Sequence, residues 1–201
     1  MIAGLFRTVA ALRSAKALHP RGAVVEGTLV RSGLRRATGV PWIDEPGVDE
    51  VLVRFSRGGG LPEPLPDVHG IALRTTSPDG DPWDLLLATT LGRRVPWPRR
   101  RAEGVLHSSI AAFAAPCGPL LVGARSHEGG YLLAVAAPRG PWRVFAALHL
   151  DRDPARAPDR TLTFEPVLHA VPGLAIPPWW QRVREPGYAG SREGRRRSAG
   201  R

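Results

Sequence analysis

A few histidines, hydroxyls and phenols in this chain have types and spacing that could do chemistry. His19 lies in Ala-Leu-His-Pro-Arg-Gly (17–22), between an apolar, arginine-bearing leader and the first strand-like run. Imidazole titrates near neutrality, so a histidine held over a substrate can accept a proton and hand it back. Alternation through Val53-Arg54-Phe55-Ser56 puts Arg54 and Ser56 on one face. That face offers a fixed cation suited to carboxylate or phosphate beside a hydroxyl that can orient a neighbour. Asp67-Val68-His69 is an Asp-x-His of the dimetal phosphoesterase kind, but no Gly-Asp or Gly-Asn-His segment completes two metal sites. His107-Ser108-Ser109 is one His-x-Ser unit of the kind two-histidine phosphodiesterases use in pairs. The natural second, His169-Ala170-Val171, has no hydroxyl. A phosphoester hydrolase is therefore the lesser alternative. His127-Glu128 and His149-Leu150-Asp151 are isolated pairs. Tyr131 and Tyr188 are the two phenols, and Cys117, being single, permits neither an intrachain disulfide nor a cysteine metal cluster.

The elements that must position these groups read as mainly β. Gly (23) and Pro (21) favour short elements joined by turns over a helical bundle. Residues 2–15 carry Leu5, Phe6, Val9 and Leu12 at helical spacing, with Arg7 and Arg13 off that face. This amphipathic helix is expected to pack on the body of the protein or on a second subunit rather than to anchor at a membrane surface. Pro20 ends it, because the residue before proline avoids helical angles. Strands are expected at 23–31 and 50–56, with a loop at 34–49 between them. A hairpin over 70–76 and 83–89 is expected around Pro78-Asp79-Gly80. A basic connection then fills 93–101, and 103–115 has helical character. Four more strands, 120–125, 131–137, 142–150 and 161–164, bring the count to eight, a barrel number. The tail is expected to be helical from about residue 179 and to end in a basic, frayed segment at 191–201. One domain over 1–190 follows.

The order His-Pro-Arg-Gly (19–22), Val-Arg-Phe-Ser (53–56), Asp-Val-His-Gly-Ile-Ala (67–72) and Trp-Asp-Leu (83–85) resembles the N-terminal barrel segment of haem catalases and of the short catalase-related peroxidases. The resemblance is carried by residues 17–87, is thin over 104–150, and returns at Phe164-Glu165-Pro166 and in the tail. It implies an α+β, mainly β fold: an eight-stranded antiparallel β-barrel with flanking N- and C-terminal helices. It implies one haem b. His19 would be the distal acid–base group, Ser56 would hydrogen-bond and orient it, and Arg54 would hold a haem propionate. The tail keeps Arg-x-x-x-Tyr, so Tyr188 would be the tyrosinate ligand to iron. Arg184, one helical turn earlier, would lower that phenol's pKa. The chain departs from the family at two places: the distal asparagine is replaced by Ala88, with Thr89 and Thr90 next as substitute donors, and the arginine of Asp-x-Arg-Gly is His69.

The activity so implied is peroxidase-like oxidation with an organic hydroperoxide or hydrogen peroxide and a reducing co-substrate, with weak or no catalase activity. The alternative is a degenerate catalase-fold protein that binds haem or a small ligand without turning over peroxide. Net charge is +10, yet Lys16 is the single lysine among 28 basic residues, a bias that a GC-rich genome also produces. No recognition helix or RNA-binding motif accompanies the arginines, so no specific nucleic acid is expected. No run is long and apolar enough to span a membrane. A cytoplasmic monomer or homodimer is the expectation.

Overall fold

Alternating apolar residues close the chain into a ring of strands. The computed structural model describes residues 22–158, 160 and 162–177. Among the described residues there are ten strands: β1 (Gly22–Arg31), β2 (Gly47–Arg57), β3 (His69–Thr76), β4 (Pro82–Leu91), β5 (Val95–Pro96), β6 (His107–Ser108), β7 (Phe113–Ala115), β8 (Gly118–His127), β9 (Gly130–Ala136) and β10 (Arg143–Leu150). Eight of them form a closed antiparallel barrel in the order β1-β2-β3-β4-β6-β8-β9-β10, with β10 pairing back to β1. Closure leaves no unpaired edge in the ring. β5 pairs with the end of β4, and β7 pairs with β8.

One set of alternate residues fills the interior. Leu29, Val51, Val53, Ile71, Leu73, Leu85, Leu87, Leu120, Val122, Leu133, Val135, Phe145 and Leu148 are buried together there. β-Branched and leucine side chains suit this half-buried, pleated setting. The end of the barrel where β1 stops and β2 starts is closed by α1 (Pro41–Asp44), whose Trp42 meets Phe145 edge-on at 5.6 Å. Arg31 locks that end. Its Nε donates to Asp49 Oδ2 at 2.7 Å, and the same oxygen accepts from Trp42 Nε1 at 3.0 Å.

Three expectations change. The 34–49 segment is not all loop: Pro41 starts a short helix, and the Asp44 carboxylate accepts from the backbone N–H groups of Thr38, Gly39 and Val40, while β2 begins at Gly47. Residues 103–115 form no helix. Gly104 and Ile110 take positive φ, which ends helical propagation, and His107–Ser108 instead bridges β4 and β8. Residues 162–164 form no strand, because Arg74 NH2 takes the Thr163 carbonyl at 2.8 Å. The eighth barrel strand is thus β6. The two expected flanking helices, 2–15 and the tail from about 179, lie outside the described residues. Among the described residues no helix is long and apolar enough to cross a membrane.

Candidate functional site

Because the interior takes Val53 and Phe55, the alternate residues Arg54 and Ser56 lie on the outer wall of β2. The cross-strand register then assembles a row on that wall: Gly22 pairs with Ser56, Ser56 with Gly70, Gly70 with Ala88, Ala88 with Ser108 and Ser108 with Gly123. All six side chains are small or absent. The next row runs Val24, Arg54, Ala72, Leu86. The wall therefore carries small side chains across six strands, with one cation and two hydroxyls set into it, and at Gly123 the Trp142 ring lies over the row, 2.8 Å from where a Cβ would stand.

Gly22 has a direct part in this arrangement. A Cβ placed there would stand 2.9 Å from Cζ of Arg54 and 2.7 Å from the Phe55 carbonyl oxygen. The missing side chain is the space into which the Arg54 guanidinium reaches. Since Gly22 pairs with Ser56, the chain runs into the barrel beside Ser56, three residues after His19. His19 itself lies outside the described residues, as do Arg184 and Tyr188.

Ala88 stands in the same row as Ser56 and Gly70, so the wall has no amide where the resemblance would put one. Of the two threonines after it, Thr89 points inward. Its Oγ1 accepts from His69 N at 3.1 Å and donates to the Trp97 carbonyl at 2.8 Å. Thr90 is on Ala88's side of the strand, and its buried hydroxyl has no hydrogen-bond partner among the described residues. His69 also turns away from the wall and meets the Arg99 carbonyl through Nε2 at 2.8 Å.

One end of the wall is covered by residues 162–177. Asp84, fully buried, receives Arg74 Nε and NH2 at 2.6 and 2.7 Å, the Glu165 amide at 2.6 Å and His169 Nδ1 at 3.0 Å. Its own amide donates to the His169 carbonyl at 2.7 Å. Phe164 packs under the Arg74 guanidinium, 5.0 Å from Cζ to the ring centroid. The carboxylate raises the Arg74 pKa further above its usual value. Asp84 of Trp-Asp-Leu is thus an anchor. Beside it, Leu86, Phe113, Pro166, Ile176 and Pro177 line a hollow against the wall.

The remaining candidates are not brought together. His107 points into the barrel and is fully buried, whereas His169 is on the outer wall, so no pair of His-x-Ser units shares a site. Asp67 spends its carboxylate on the amides of Gly59, Leu61 and Val68. Among the described residues no three of His, Cys, Asp and Glu could hold a metal ion. Tyr131 stacks on Phe55 at 5.6 Å, and burial, helped by Glu103, pushes its phenol up to about 12. A phenol held protonated inside the barrel is a poor anionic ligand.

The small side chains at Gly22, Ser56, Gly70 and Ala88, with the Arg54 guanidinium reaching into the space beside Gly22, are the features that a flat group bearing a carboxylate would use. No family model and no curated protein matches the chain. Among solved structures, a fungal catalase matches with a TM-score of 0.57 and 12% sequence identity, over 88% of this chain and 59% of the catalase. The chain therefore spans about three-fifths of that catalase's length. Identity this low speaks to architecture alone. The described chain is a catalase-like, closed eight-stranded antiparallel barrel.

Proposed function

We propose that the chain is a haem-dependent, peroxidase-like oxidoreductase acting on organic hydroperoxides or hydrogen peroxide, with weak or no catalase activity. The observation that carries this reading is the juxtaposition of Arg54, Ser56 and the start of β1 on one small-residue wall of a catalase-like barrel. Haem b, when bound, supplies the redox chemistry of peroxide reduction. Everything else is done by the chain. Arg54 forks onto a propionate and fixes the ring's edge. Ser56, paired with Gly22 across the β1–β2 ladder, would orient His19. His19 takes the proton from a hydroperoxide and returns it to the leaving oxygen, the work of a group titrating near neutrality. Tyr188 would supply a phenolate ligand to the iron, and Arg184, four residues earlier in the sequence, would lower its pKa. A reducing co-substrate closes the cycle. A monomer or homodimer in the cytoplasm suits a chain with the single thiol Cys117.

A second reading is favoured by Ala88. Without an amide in the Ser56–Gly70–Ala88 row, the wall lacks one donor that would polarise peroxide. On that reading the barrel binds haem or another flat ligand without turnover. The separating experiment is peroxide-dependent oxidation of a chromogenic donor by the hemin-loaded full chain. The peroxidase reading expects turnover in the wild type and none in His19→Ala, with haem retained in both. Equal rates in the two proteins would refute the acid–base role of His19.

A further inference from the structure

Four large apolar side chains stand in solvent at one end of the barrel, where β2 ends, β3 begins and β4 ends. Leu61, Leu65, Leu91 and Trp97 are each between 40% and 49% exposed. They are held there by a built framework. Asp67 receives the amides of Gly59 and Leu61 at 2.8 and 3.1 Å. Arg57 donates to the carbonyls of Leu61 and Leu65 at 2.9 and 2.6 Å. The backbones of Asp67 and Arg99 pair, which ties the 58–66 loop to the 91–101 segment. With both backbones occupied, the leucine and indole side chains are presented outward from a fixed base.

The 91–101 side of this end is strongly positive, and the one exposed acid of the 58–66 loop, Glu63, stands 3.7 Å from the Arg57 guanidinium. Residues 91–101 contain five arginines and no acidic residue. Arg94, Arg100 and Arg101 are exposed, whereas Arg93 folds over Trp142, 5.1 Å from the ring centroid. Apolar side chains set among arginines are the pattern of an interfacial binding surface. The leucines enter the acyl boundary, tryptophan sits at headgroup depth, and guanidinium groups meet anionic headgroups.

We propose that this end of the barrel docks on the surface of an anionic phospholipid bilayer. A nucleic acid would engage the arginines and Trp97 but leave Leu61, Leu65 and Leu91 in water, so lipid accounts for more of the surface. The inference does not depend on haem, and an apo barrel would dock equally.

The test is flotation of the full chain with phosphatidylcholine vesicles containing about one third phosphatidylglycerol, against pure phosphatidylcholine. Binding to the anionic vesicles alone is expected. Two variants probe the two halves of the surface separately: Leu65→Ser with Trp97→Ser, and Arg94→Gln with Arg100→Gln and Arg101→Gln. Each should lower the partition coefficient by about tenfold or more while the melting temperature holds. The basic segment 191–201 is present in every protein compared, so binding through it cannot produce these losses. Absence of wild-type binding, unchanged partitioning in both variants, or capture of duplex DNA in preference to the vesicles would each overturn the proposal.

Discussion

Gly22 and Ser56 face each other across the β1–β2 ladder. This pairing brings the chain that follows His19 onto the wall bearing Ser56 and Arg54. It also puts the absent side chain of Gly22 where the Arg54 guanidinium needs room. Gly22→Val should displace that guanidinium. Hemin affinity should fall about tenfold, the change expected when one charge-assisted contact is lost, while strain costs about 1–3 kcal/mol of stability. Hemin titration beside urea unfolding separates the two effects. An unchanged affinity would mean that Arg54 does not contact the ligand.

Ala88 gives a sharper test, because its row can be changed without touching the core. Ala88→Leu puts a branched side chain on the wall between Gly70 and Ser108. It should obstruct a flat ligand and reduce hemin binding by more than tenfold, leaving the melting temperature within a few degrees. Ala88→Asn should keep hemin binding and raise the rate with hydrogen peroxide, since it adds an amide donor at that position. Steady-state oxygen evolution and donor oxidation read the second variant.

Asp84 should be the costliest single position on the outer wall. Asp84→Ala removes the carboxylate partner of the Arg74 guanidinium and the acceptor of the Glu165 amide, and loosens residues 162–177. Removing one member of a buried ion pair costs about 3–5 kcal/mol. Denaturant midpoints should fall accordingly, and cleavage after Arg160 should accelerate under limited trypsinolysis.

Acid should destabilise the barrel through His107. Burial lowers its pKa to about 4, outweighing the pull of the Val105 carbonyl, against 6.5 for an ordinary histidine. Between those values the unfolded chain binds a proton that the folded chain refuses, so stability falls as pH drops from 6.5 towards 4. From pH 7.5 to 5 the loss through this group is about 2 kcal/mol. His107→Leu should flatten that part of the urea midpoint against pH profile. An unaltered profile would mean that another group carries the acid sensitivity.

How much of this could be read from the residues depends on range. Arg54 and Ser56 were legible as one face because alternation is a local property of a strand, and the hairpin at Asp79-Gly80 for the same reason. β6 was not. Two residues carry no periodicity, and the apolar spacing around His107 and Ile110 imitates a helix until positive φ at Ile110 breaks it. The 161–164 run carries strand-like residues but forms no ladder, because Phe164 is buried against Arg74, whose guanidinium occupies the Thr163 carbonyl a ladder would use. Asp84 was visible only as part of a motif. Its partners Glu165 and His169 lie 81 and 85 residues away, beyond any local signal. The small-residue row was equally hidden, since Gly22, Ser56, Gly70, Ala88 and Ser108 become neighbours only when the register is known. Residues of the tail that the haem reading names, Arg184 and Tyr188, stand outside the described residues and rest on the motif.

The central claim is that this barrel holds haem through Tyr188. It is tested most directly by the absorption spectrum of the purified full chain before and after one equivalent of hemin. The account predicts a Soret band with a high-spin tyrosinate pattern that is lost in Tyr188→Phe and weakened in Arg54→Ala. A spectrum identical to that of free hemin in all three proteins would contradict it.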